Sequence, residues 1–167
     1  MNHRNIISLL AISCASTLCA QAPDKSVKER LTREFEAIGT ASEGRIPVMR
    51  GGKWGFCNFS GDIVVDPVFD EALPFSGGLA AVKEGKAWGY IDPDGFPEVS
   101  CKYEQVRPYS EGMAAVKRDG KWGFIDRDGF PKIRCQYDEV SDFSEGRAQV
   151  TLAGKKLTIS PAGSQVD

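Results

Sequence analysis

The residues best suited to chemistry in this chain are carboxylates set just before a glycine. Asp92-Pro93-Asp94-Gly95 and Asp126-Arg127-Asp128-Gly129 each place two acids ahead of glycine, a pattern that can offer oxygen ligands to calcium. The equivalent stretches Asn58-Phe59-Ser60-Gly61 and Ser160-Pro161-Ala162-Gly163 lose the charge, and none is followed by the bidentate glutamate of an EF-hand. What persists is turn chemistry. An Asp, Asn or Ser at the first position accepts a backbone N–H, and glycine at the fourth takes a positive φ cheaply, so structural turns and no metal site are expected. Two further sets of carboxylates, Asp70, Glu104 and Asp138, and Glu43, Glu111 and Glu145, recur at equivalent places. A single acid–base site would break that symmetry, and these acids are assigned to the connections between repeats.

Thiol and imidazole chemistry is equally sparse. Cys57, Cys101 and Cys135 lie beyond the first twenty residues, and an odd number leaves room for one bridge at most. Cys101 and Cys135 can join only if their Cα atoms come within about 7 Å; unbridged buried thiols are expected, with Cys57 as a small core residue. His3 is the only histidine, and Gly-x-Ser-x-Gly, P-loop and His-Glu-x-x-His patterns are absent. The expectation is a protein without catalytic residues, metal ligands or cofactor.

Residues 1–20 read as a secretory signal: Arg4 precedes an apolar run from Ile6 to Ile12, small residues follow, and Ala20 offers a cleavage point. The run to Ala20 is short of the roughly 20 residues needed to span a bilayer, so no membrane span is expected after processing. The stretch Leu10 to Cys14 resembles a bacterial lipobox, which would instead tether the chain at Cys14. Removal of residues 1–20 leaves 20 basic and 23 acidic side chains, a net charge of −3. That balance argues against nucleic acid as a partner.

The carboxylate turns belong to a longer pattern. KWGFCNFSGD, AWGYIDPDGF and KWGFIDRDGF begin at residues 53, 87 and 121, a period of 34. At that shift Trp54, Trp88 and Trp122 fall in one column, Phe56, Tyr90 and Phe124 in another, and Phe69, Tyr103 and Tyr137 in a third. Phe75, Tyr109 and Phe143 form a fourth column, and Val82, Val116 and Val150 a fifth. The register extends over residues 35–166. Helical tetratricopeptide repeats share this period, so local alternation decides the class. Val99, Cys101 and Tyr103 alternate with Glu98, Ser100 and Lys102, and Trp122 and Phe124 share a face opposite Gly123 and Ile125, which is a strand's period of two.

These motifs resemble those of the WG-repeat (KWG) family: Lys53-Trp54-Gly55-Phe56, Lys121-Trp122-Gly123-Phe124-Ile125-Asp126, Tyr137-Asp138 and Phe143-Ser144-Glu145-Gly146. The last copy departs, with Lys156-Leu157 in place of Trp-Gly, and the Pro67 column becomes Cys101 and Cys135. The resemblance implies an all-β array, often in secreted or envelope proteins, with no catalytic residues to carry over.

The expected organisation is a signal at 1–20, a linker and amphipathic capping helix at 21–34, and a β domain at 35–167. That domain divides into a partial repeat 35–52, repeats 53–86, 87–120 and 121–154, and a partial repeat 155–167. Each repeat should be a three-stranded meander stacked on its neighbours in an open, twisted solenoid-like array. Ser26 with Glu29 is expected to form the helix's capping box. The tryptophans are expected to be buried between units, so that Trp88→Ala costs about 3–5 kcal/mol.

Functionally the sequence points to a bacterial, exported, non-enzymatic module that binds a protein partner through outward residues such as Glu98, Lys102, Lys132 and Arg134. The alternative is an envelope glycan binder in which Trp54, Trp88 and Trp122 stack on sugar rings.

Overall fold

The computed structural model describes residues 22–166. The expected signal with its cleavage point, and the alternative attachment residue Cys14, lie outside that range. Among the described residues one helix, α1 (Lys25–Glu34), precedes sixteen strands in four antiparallel sheets that follow one another in chain order. The first sheet is β1 (Ala37–Ile38), β2 (Arg45–Arg50), β3 (Lys53–Asn58) and β4 (Ile63–Phe69). The second is β5 (Glu71–Ala72), β6 (Ala80–Glu84), β7 (Ala87–Ile91) and β8 (Pro97–Tyr103). The third is β9 (Gln105–Val106), β10 (Met113–Arg118), β11 (Lys121–Asp126) and β12 (Pro131–Tyr137). The fourth is β13 (Glu139–Val140), β14 (Ala148–Leu152), β15 (Lys155–Ile159) and β16 (Gln165–Val166). The all-β repeat array expected from the sequence is present, with no closed barrel. Each meander gains a two-residue strand drawn from the connecting segment, so the sheets have four strands where three are expected.

Alternation gives each of the first three sheets two apolar faces and the fourth sheet one, and the cores form where the face of one sheet meets the opposite face of the next. Phe56, Val65 and Phe69 of the first sheet pack with Ala80, Val82 and Ile91 of the second and with Phe75 of its β5–β6 connection. Ala81, Tyr90, Val99 and Tyr103 then meet Tyr109, Ala114, Val116 and Ile125. Ala115, Phe124, Ile133 and Tyr137 meet Phe143, Ala148, Val150 and Ile159. At each junction two rings cross edge to face: Phe56 on Phe75 at 4.9 Å, and Tyr90 on Tyr109 and Phe124 on Phe143 at 4.8 Å between centroids. Rings that pair this way contribute about 0.5–1.5 kcal/mol beyond the area they bury.

Both ends of the array are closed. The first sheet presents Ile46, Val48 and Cys57 backwards, and α1 covers them with Leu31 and, just after its last turn, Phe35. The helix thus stands where a preceding sheet would stand. Its N-cap is Asp24, whose Oδ1 accepts from the Val27 N–H at 2.9 Å and from the Ser26 hydroxyl at 2.6 Å. This corrects the expected Ser26–Glu29 box: the aspartate two residues earlier is ionised and accepts both donors. At the other end the columns that carry Ala115, Trp122 and Phe124 in the third sheet hold Gln149, Lys156 and Thr158. A polar outer face of this kind is what ends a stack.

Candidate binding surface

The turns expected from Asp-x-Asp-Gly are made as the chemistry requires. Asp92 Oδ1 accepts from the Asp94 and Phe96 N–H groups at 3.0 and 2.8 Å, and Asn58 Oδ1 does the same for Ser60 and Asp62, at 2.9 Å each. Gly95 and Gly129 have φ of 92° and 79°, where a side chain would be strained. Each such turn also leans on the preceding unit: a Cβ on Gly129 would sit 2.9 Å from Val99. Among the described residues no three His, Cys, Asp or Glu side chains group to hold a metal ion.

The recurring carboxylates serve the connections. Glu43 accepts from the N–H groups of Gly77 and Gly78 one unit on, at 2.9 and 2.8 Å, and Glu111 accepts from Glu145 and Gly146 at 2.7 and 2.9 Å. The hydroxyls of Ser42, Ser76 and Ser110 each donate 2.7 Å to the carbonyls of Phe75, Tyr109 and Phe143. Asp70 pairs with Lys53 and Asp138 with Lys121, contacts that lower both carboxyls below the ordinary value of 3.8.

Cys57, Cys101 and Cys135 are free thiols. Desolvation pushes Cys57 up to about 11, which leaves it a protonated core residue rather than a nucleophile. Cys101 and Cys135 face the carbonyls of Val82 and Val116 at 3.9 and 3.8 Å, and burial raises both.

The indoles differ from expectation. Trp54, Trp88 and Trp122 are only partly buried, at the margins of the three inter-sheet cores, while the centres belong to Phe56, Tyr90 and Phe124 at 0%, 1% and 1% exposure. Lys83 and Lys117 lie over the rings of Trp88 and Trp122 at 5.6 and 5.9 Å. The physical reason is position along the strand. Trp88 and Trp122 pair with Tyr103 and Tyr137, at the far end of the sheet from the turns that press on the neighbouring unit. Trp88→Ala is accordingly expected to cost about 1–2 kcal/mol in a urea melt, for a side chain only partly removed from water.

Glu98, Lys102, Lys132 and Arg134 are all exposed on β8 and β12. The residues that sequence reasoning missed stand beside them. Phe96 and Phe130, each directly after a turn glycine, are 66% and 65% exposed, more than any other large apolar side chain described. Their column held the signal: it reads Asp62, Phe96, Phe130 and Ser164, and a column that is polar in the outer copies is not a core column.

Compared with known families, residues 24–54, 54–86, 88–122 and 122–155 match the model of the WG containing repeat. The chain belongs to the WG-repeat family. A comparison with curated proteins gave no match. Among solved structures the WG-repeat chain is similar to the computationally designed Ika4 protein, at 13% identity and a TM-score of 0.50 over 74% of this chain and 91% of that one. It also aligns with the hemopexin fold protein CP4 from cow pea, at 12% identity and a TM-score of 0.33 over 77% of this chain and 88% of that one. A plant lectin with two metal binding sites from Cicer arietinum aligns at 10% identity and a TM-score of 0.32, over 80% and 89% of the two chains. The first likeness is one of fold alone. The other two superpose too loosely to bear on the WG-repeat architecture.

Proposed function

We propose that this WG-repeat protein is an exported bacterial docking module, without catalytic activity, that holds a protein partner on the side of the array carrying Phe96 and Phe130. The observation that carries the reading is the pair of phenylalanines, about two-thirds exposed at equivalent points of successive units. Apolar anchors ringed by polar residues are the usual build of a binding patch, and here two large rings recur at the same point of successive units. Glu98, Lys102, Lys132 and Arg134 supply that ring. Export rests on the leader-like residues 1–20.

Affinity capture from periplasm and culture fluid with the wild-type chain and with a Phe96→Ser/Phe130→Ser double variant tests the reading. The expected result is a protein retained by the wild type and lost from the variant, with the variant's melting unchanged within about 0.5 kcal/mol because both sites are exposed. Identical recoveries from the two chains would contradict it. The partly exposed indoles favour one rival, glycan stacking on Trp54, Trp88 and Trp122. With lysines over two of the rings, tryptophan emission is expected to stay unmoved on adding cell-wall sugars, and a saturable shift would favour the rival.

A further inference from the structure

The first unit departs from its copies in several interior columns: Ile46 stands where the others have Ala80, Ala114 and Ala148, Cys57 where they have isoleucine, and one further change removes a ring. Phe75, Tyr109 and Phe143 send a ring back into the junction before them; the same column in the first unit is Ala41. Across that junction stands α1, which offers Leu31. Phe35 and the larger Ile46 take up part of the junction, but an alanine in this column still leaves out the ring that crosses the junction elsewhere. A cleft of about 360 Å³ remains, lined by Pro23, Lys28, Leu31, Ile38, Ala41 and Ile46 among others. The correspondence extends beyond one residue. Ile38, Ala41 and Ile46 occupy the columns of Ala72, Phe75 and Ala80, which together build the core of the next junction around the Phe75 ring.

We propose that this cleft is a binding site for a small aromatic carboxylate. The ring takes the place of the side chain that Ala41 lacks, between Leu31 and Ile46. The cleft is open to solvent on one side and mostly apolar, and its volume falls within the size range of ordinary ligand sites. Charge fixes the other end of the ligand. Lys28 is the sole charged residue of the lining and forms no ion pair among the described residues, so an anion meets it without displacing a partner. The Thr32 hydroxyl is already committed to the Lys28 carbonyl at 2.7 Å, which leaves the ammonium as the group that selects.

Titration of the full chain with phenylacetate, followed by calorimetry, tests the site, with phenylacetamide as the neutral control. Saturable 1:1 binding of phenylacetate is expected. Lys28→Ala should weaken it about threefold, the size of one exposed ion pair, and leave phenylacetamide unchanged. Ala41→Phe should abolish binding and raise Tm, because the chain then supplies its own ring. Absence of saturable binding overturns the proposal. So does an Ala41→Phe chain that still binds or melts lower, or a Lys28→Ala chain with unaltered affinity for phenylacetate.

Discussion

Replacing Phe124 by alanine is expected to cost about 3–5 kcal/mol of unfolding free energy, the range for emptying a buried aromatic site. The ring is 1% exposed and meets Phe143 at 4.8 Å with an interplanar angle of 66°. Around it lie Ala115, Ile133 and Tyr137 from its own sheet and Ala148, Val150 and Ile159 from the next. The loss therefore falls on a junction rather than on a unit. In a repeat array neighbouring interfaces couple the units, so a weakened junction should also broaden the denaturant transition as the fourth sheet begins to detach first. A guanidinium melt reads both the shift and the slope.

Gly123→Ala should be nearly as damaging, for a different reason. Between Trp122 and Phe124 on β11 the chain advances two residues, while the paired residues on β12 run from Tyr137 to Ile133. The extra residues bulge across Gly123. A Cβ there would lie 2.5 Å from the Ile133 carbonyl oxygen, 2.6 Å from the Cys135 nitrogen and 2.7 Å from the Arg134 carbonyl carbon. All three are backbone atoms, so no rotamer relieves the clash and the bulge itself must move. A cost near the top of the 1–3 kcal/mol range for overpacking is expected, measurable in the same melt. The glycine that gives the repeat its name is thus required by the strand that crosses it. The fourth unit supplies the control: Leu157 occupies the same column, and β16 is only Gln165–Val166, paired in register with Thr158 and Ile159, so among the described residues no strand crosses it.

Much of this was legible in the residues. The 34-residue register, the alternation at Val99, Cys101 and Tyr103, and the Asp-x-Asp-Gly turns together specify stacked meanders, because each signal is local and recurs. The short strands β1, β5, β9 and β13 were not legible: two residues such as Glu71-Ala72 carry no alternation, and only the neighbouring long strand makes them strands. The alternation rule also places Trp122 and Phe124 on one face without saying which is central. That is decided by where the next unit lands, a tertiary fact that exchanges the expected roles of the two columns. The capping of α1 was ambiguous because Asp24 and Ser26 both suit an N-cap. The exposure of Phe96 and Phe130 leaves only a faint trace in the sequence, the polar residues Asp62 and Ser164 at the ends of their own column.

Stability in this array resides between successive sheets, in crossed rings contributed by both. A double-mutant cycle across one junction tests it most directly: Phe124→Ala, Phe143→Ala and the double variant, each melted in guanidinium. If the rings share one site, the two losses will not add, and a coupling of about 0.5–1.5 kcal/mol or more is expected. Strict additivity, with each substitution acting as though the other ring were absent, would mean that the units are stabilised from within and would contradict the account.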